Sequence, residues 1–156
     1  MKRTVTRIAA AVIAALMICL CLASCGGKKT EKPKVTVEIY DDAGVIFLKA
    51  VDLEIEDTTT AEQVVQMLCT LREATFTKDI DGNYDSFTFG DRTISTKQEN
   101  LDNGKVKMYR FGWKLNDEVM TATGEGVSTK MSDKVLANGD KVVVYFIVEE
   151  VTPATN

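Results

Sequence analysis

The stretch KVVVYFIVEEV, residues 141 to 151, restricts the fold of this chain more than any other. It is apolar on both faces from Val142 to Val148. A strand with one wet face alternates apolar and polar side chains, so an unbroken apolar run fits a strand in the middle of a sheet. Residues 141–151 are therefore expected to be a central strand, covered by a helix on one side and by other structure on the other. The turn signal Asn138-Gly139-Asp140 precedes it.

The remaining periodicities supply its neighbours. KVTVEIY, residues 34 to 40, alternates, with Val35, Val37 and Ile39 on one face and Thr36, Glu38 and Tyr40 on the other, as a half-buried strand does. Asp41-Asp42-Ala43-Gly44 is a turn, so residues 45 to 56 should return antiparallel, with Val45, Phe47, Val51, Leu53 and Ile55 sharing one face. The period then changes. Thr59 with Glu62, or Thr60 with Gln63, has capping-box spacing, and Val64, Met67, Leu68 and Leu71 recur at steps of three and four as one helical stripe. From Phe76 to Asn103 the pattern weakens to short strands near Tyr84–Phe89 and Thr93–Ser95, separated by Gly90-Asp91. LDNGK, residues 101 to 105, is a hairpin turn, followed by the strand KVKMYRFGWKLN, which Asn116-Asp117 ends.

The N-terminus carries a different signal. Lys2, Arg3 and Arg7 precede an apolar run, Ile8 to Ala23, that is short for a transmembrane span and has the layout of a secretory signal. The run ends Leu22-Ala23-Ser24-Cys25, which resembles the bacterial lipoprotein signal motif. Residues 1–24 are thus expected to be a signal peptide, with Cys25 as the lipidated residue. GGKKTEKPK, residues 26 to 34, reads as a flexible tether that reaches at most about 30 Å at ~3.3 Å per residue. A folded domain over residues 35–151 and a short tail, 152–156, complete the chain. Lipidation would hold the protein on the extracytoplasmic face of a cell membrane.

The chain has 19 Lys and Arg against 23 Asp and Glu. Three of the basic residues and none of the acidic ones lie in the first 24, so cleavage leaves 16 against 23, a net charge of −7. An acidic mature region with no basic patch along its sequence argues against nucleic acid as a partner. Of the four cysteines, two leave with the signal and one is lipidated, so Cys69 stands alone and no intramolecular disulfide is expected. Within the helical stripe, Cys69 reads as a small buried hydrophobe.

The order of elements is that of an α+β, β-grasp-like mixed sheet packed on one helix, with the first and last strands paired in its middle. VTVEIY, TTTAEQVVQML, GWKLNDE and LANGDKVVVYF stand in the order and spacing of the transcobalamin-like C-terminal domain of bacterial surface lipoproteins, and the chain resembles that family over nearly all of residues 35 to 148. It departs at Asp117, where the family's turn commonly has glycine, and at Val144-Tyr145, where a tryptophan often stands. The resemblance implies a ligand-facing β-module for a corrinoid such as cobalamin or for another extracellular ligand; a transporter component is a further candidate partner.

The residues themselves offer little catalytic chemistry. With no histidine, one thiol and no serine-elbow motif, the usual nucleophilic triads and imidazole metal sites are absent, and no catalytic residue is expected. Asp79-Ile80-Asp81-Gly82-Asn83-Tyr84-Asp85 resembles the start of a calcium loop, but Tyr84 and Gly90 stand where that loop needs a glycine and a bidentate acid; a polar turn with no metal is expected. On the strand 105–115 the pleat puts Tyr109, Phe111, Trp113 and Leu115 on one face, which reads as a core-facing stripe and, were it open, as a stacking platform for a flat ring. Tyr109, Phe111, Trp113, Asn116 and Gly124 are the candidate ligand contacts, with the loop from Asn116 to Gly126 the first place to look. No cofactor is required by any of these residues. The expectation is a monomeric binding or accessory module for a small ligand; the other reading is a surface module for a protein or glycan partner, with no small ligand.

Overall fold

The structure is a computed structural model that describes residues 31–102, 104–121 and 129–152. The signal segment, Cys25 and Gly124 lie outside the described residues. Residues from Lys32 onward belong to one compact unit. Its elements are β1 (Lys34–Tyr40), β2 (Ile46–Glu54), α1 (Ala61–Leu71), β3 (Thr75–Lys78), β4 (Tyr84–Phe89), β5 (Arg92–Ser95), β6 (Lys97–Asn100), β7 (Val106–Leu115), β8 (Glu118–Val119) and β9 (Lys141–Val151). A 3-10 turn, Met131–Asp133, lies before β9. Among the described residues no helix is long and apolar enough to cross a membrane.

The fold is α+β: a mixed sheet in the order β2-β1-β9-β7-β6, with β8 pairing β7, packed against one helix and a second, three-stranded sheet β3-β4-β5. As its two-sided apolar run requires, β9 is central. It runs parallel to β1 and antiparallel to β7 along that strand's whole length. The core face of the main sheet carries Val35, Val37, Ile39, Trp113, Leu115, Val142 and Val144. Helix α1 covers part of it through Ala61, Val64, Val65, Leu68 and Cys69. The small sheet covers the rest, where Phe87 meets Phe111 edge-on at 5.2 Å and Phe111 lies 4.3 Å from Phe146.

Two expectations are corrected. The helix buries Val64, Leu68 and Cys69 as expected, but Val65 joins them inside, whereas Leu71 is 60% exposed. On β2 the simple alternation fails because two bulges interrupt its pairing with β1, one at Val51-Asp52 and one at Phe47. Each bulge adds a residue and reverses the facing of the residues beyond it. Leu48 and Ala50 therefore point into the core, while Val45 and Val51 are exposed. Asp52 takes the left-handed backbone conformation that the first bulge needs, with φ of 54°.

Glu38 lies on the face of β1 that alternation gives it, opposite Val37 and Ile39, yet is only 3% exposed. Lys49 Nζ lies 2.7 Å from one carboxylate oxygen; Lys141 Nζ and the Tyr40 hydroxyl lie 2.9 Å from the other. Burial alone would raise the Glu38 pKa, but these three donors outweigh it and hold it at about 2. A charge can be buried here because both carboxylate oxygens have partners.

Candidate functional site

Strand β7 is bordered on one edge by β9 throughout. Its other edge is shared: β6 pairs with Val106–Tyr109, and β8 pairs with Lys114 and Leu115. The four residues between, Arg110 to Trp113, have no strand partner on that edge among the described residues. Side chain and loop replace the ladder there. The Trp113 amide donates to Thr121 Oγ1 at 2.8 Å, and the Trp113 carbonyl accepts from the Met120 amide at 3.0 Å.

Beside this gap lies a cavity of about 500 Å³ between the main sheet and the β3–β4 turn. Its apolar wall is Tyr84, Phe111, Trp113 and Met131; its polar wall includes Glu62 and Lys78. Trp113 is held rigidly, 5% exposed, with Nε1 donating to the Thr129 carbonyl at 3.0 Å. The indole is thus a packed wall and not an open stacking platform. Gly112, next to it, faces the opposite side of the sheet, where Ile147 fills its space: a Cβ there would sit 2.4 Å from Ile147 Cδ1.

Tyr84 is the side chain that sequence reasoning does not single out. It is 7% exposed, packed edge-on against Phe76 at 5.4 Å and tilted on Phe87 at 4.8 Å, and Lys78 Nζ stands 4.8 Å from its ring centre. Its hydroxyl is buried with no hydrogen-bond partner among the described residues. Such an orphan costs about 1–3 kcal/mol and is uncommon in folded proteins. Burial also raises its pKa far above the ordinary phenol value, so it remains a neutral donor. No periodicity could mark it, because a register shift between Thr77 and Lys78 breaks the alternation where Tyr84 pairs.

The charged part of the site is paired within the protein. Lys78 contacts the Glu62 carboxylate from the first turn of α1. Burial lowers the Lys78 pKa, while that carboxylate favours its charged form. Arg110 grips Glu149 with both Nε and Nη2 at 3.2 Å. Asp79 accepts from the amides of Asp81 and Asn83, each at 2.9 Å, and from the Asn83 side chain, which hold its pKa down. Its carboxylate therefore closes a polar turn. Among the described residues no cluster of three or more His, Cys, Asp or Glu side chains could hold a metal ion.

Of the candidate contacts, Phe111 and Trp113 meet at this cavity. Tyr109 lies outside it, its hydroxyl donating to Glu99 at 3.1 Å and its ring flanked by Lys97 and Lys107. Asn116 is a structural turn residue: its amide nitrogen donates to Asp140 at 2.7 Å and its oxygen accepts from the Lys141 amide at 2.8 Å, locking the β7–β8 turn to the start of β9. The Cys69 thiol is inside the core, and burial pushes its pKa up to about 11. Compared with protein-family models, with curated proteins and with solved structures, the chain matches none.

Proposed function

We propose that the chain is a membrane-tethered, extracytoplasmic binding module, lipidated at Cys25, that holds a small ligand in the cavity beside β7. It acts as a monomer, as the capture or accessory component of an uptake system, and performs no chemistry on what it binds. The observation that carries the reading is the cavity itself. Its volume of about 500 Å³ falls within the usual range of about 300–1,000 Å³ for small-molecule sites. Its lining sets the rings of Tyr84, Phe111 and Trp113 against a larger number of polar and charged side chains, which would fix a ligand's orientation.

The nature of the ligand is argued from the walls. Rigid rings on one side favour a flat apolar edge, and the polar side chains opposite, such as Asn83, Thr121 and Ser132, offer hydrogen bonds to its rim. The amide-fringed rim of a corrinoid fits a wall of rings facing polar side chains, and a cavity of this size would take one edge of the macrocycle rather than enclose it. The absence of histidine from the chain and the high thiol pKa of Cys69 support binding over catalysis.

The test is a titration of the full chain in detergent with cyanocobalamin, following Trp113 emission corrected for absorption by the corrin. A saturable change at tens of micromolar or below, weakened about tenfold by Phe111→Ala, supports the reading. A linear or absent response in a chain whose thermal melt is normal removes the corrinoid ligand.

A further inference from the structure

The gap in the pairing of β7 has a direction. Register between β7 and β9 runs unbroken from Val106 to Leu115, so the strand alternates without a bulge. In an antiparallel pair the main-chain N–H and C=O of one residue point to the same edge, and those of the next residue to the other. At Trp113 both point away from β9, the amide to Thr121 Oγ1 and the carbonyl to the Met120 amide. One step out of phase, the Asn116 amide donates to the Lys141 carbonyl on β9. Tyr109, in phase with Trp113, pairs with Lys97 on β6. Phe111 stands halfway between them, so its N–H and C=O face the same edge. Among the described residues no strand, loop amide or loop carbonyl meets them there. All four residues of the gap line the cavity, so this open rung is turned toward it.

The length of the gap limits what can fill it. From Tyr109 to Trp113 the strand advances about 14 Å at ~3.4 Å per residue, and the pairing at either end occupies the flanks. One rung is missing. A continuous strand laid along β7 would run into Lys97 at one end and Met120 at the other, so the fitting group approaches edge-on. It needs one acceptor and one donor side by side. A primary carboxamide carries both on one planar edge. A carboxylate carries only acceptors and would set an anion against the Phe111 carbonyl oxygen, and an ester has no donor.

We propose that the Phe111 main chain is the anchoring pair of the cavity: its N–H donates to, and its C=O accepts from, a single carboxamide of the bound ligand, which supplies the rung between β6 and β8. The proposal rests on the cavity reading and adds the atoms that select the ligand. It is strand addition reduced to one residue, with main-chain bonds giving the anchor and the ring wall of Tyr84 and Trp113 giving the fit. The carboxamide belongs to a corrin rim or to a glutamine or asparagine side chain, and the test separates the two.

The full chain in detergent is labelled with heavy nitrogen in its six phenylalanines, and the Phe111 amide signal is identified by its loss in Phe111→Leu. In the free chain this amide should exchange with solvent much faster than that of Phe87, which is paired on the middle strand of the small sheet. Four probes are then titrated against Trp113 emission: dicyanocobinamide, which keeps the rim carboxamides; the heptamethyl ester of dicyanocobyrinic acid, the same ring without them; Gly-Gln-Gly; and Gly-Glu-Gly. A carboxamide probe should saturate the signal, bind about tenfold more tightly than its ester or carboxylate counterpart, as two hydrogen bonds require, and slow exchange of the Phe111 amide. Binding of dicyanocobinamide assigns the carboxamide to a corrin rim. Binding of Gly-Gln-Gly alone assigns it to a peptide side chain, and the anchor stands while the corrinoid ligand falls. Equal binding of carboxamide and counterpart, or a saturated Trp113 signal with Phe111 exchange unchanged, overturns the proposal and leaves the cavity reading in place. A Phe111 amide as protected as that of Phe87 in the free chain overturns it too. No saturable response to any of the four removes both the anchor and the corrinoid ligand.

Discussion

Glu38 decides how the open face of the sheet behaves. Its pKa of about 2 lies below the ordinary carboxylate value of 4.5, so the folded state favours its charged form. The stabilisation is complete above about pH 5 and is lost as pH falls toward 2. By the usual conversion the shift amounts to about 3 kcal/mol at most, and the exposure of both lysines reduces it to about 2. Glu38→Gln should therefore unfold about 2 kcal/mol more easily than the parent at pH 7 in urea melts, with the difference shrinking below about pH 5 and closing only near pH 2. Nothing in KVTVEIY could reveal this, since alternation correctly puts Glu38 on the outer face. What it omits is that a lysine from each neighbouring strand reaches over the carboxylate. Tyr84 is illegible for a related reason: its burial comes from contacts with Phe76 and Phe87, and its orphan hydroxyl is a property of three dimensions alone.

The elements are more legible where one local rule controls them. The helix begins at Thr60, whose side chain accepts from the Gln63 amide while the Gln63 side chain accepts from the Thr60 amide, the reciprocal pair that the spacing announces. Thr60→Ala should lower stability by about 0.5–2 kcal/mol, read from the denaturant midpoint with an unchanged slope. The β7–β8 turn has positive φ at both central residues, Asn116 at 50° and Asp117 at 70°. This is the geometry of the tight hairpin turn that favours Asn-Gly. Asn116 is held by its bonds to Asp140 and Lys141, whereas Asp117 sits there without glycine's freedom. Asp117→Gly should accordingly raise stability by about 0.5–1 kcal/mol, measured the same way. Strand β2 departs from its alternation because bulges leave no mark in a pattern of apolar residues; only the count of residues between paired strands exposes them. The small sheet β3-β4-β5 is legible only in part, since β3, four residues long, is too short to show a period.

At the scale of the whole molecule, one strand organises the rest. Because β9 is apolar on both faces it takes the centre, and because β1 lies parallel beside it the first and last strands close the sheet. That closure leaves β7 with two short partners on its far edge, and the gap between them adjoins the cavity. The architecture is therefore readable from the terminal run, while the site arises from where β6 ends and β8 begins, which no motif encodes. On this account the cavity beside Trp113 is the proposed seat of a small ligand. The most direct test is hydrogen–deuterium exchange of the full chain with and without saturating cyanocobalamin. Joint protection of residues 79–84, 110–113 and 129–132 is the expected result, with residues 36–40 and 49 unchanged. Ligand-dependent protection confined to other segments, or none at a concentration that saturates the Trp113 signal, would contradict the assignment of the cavity as the binding site.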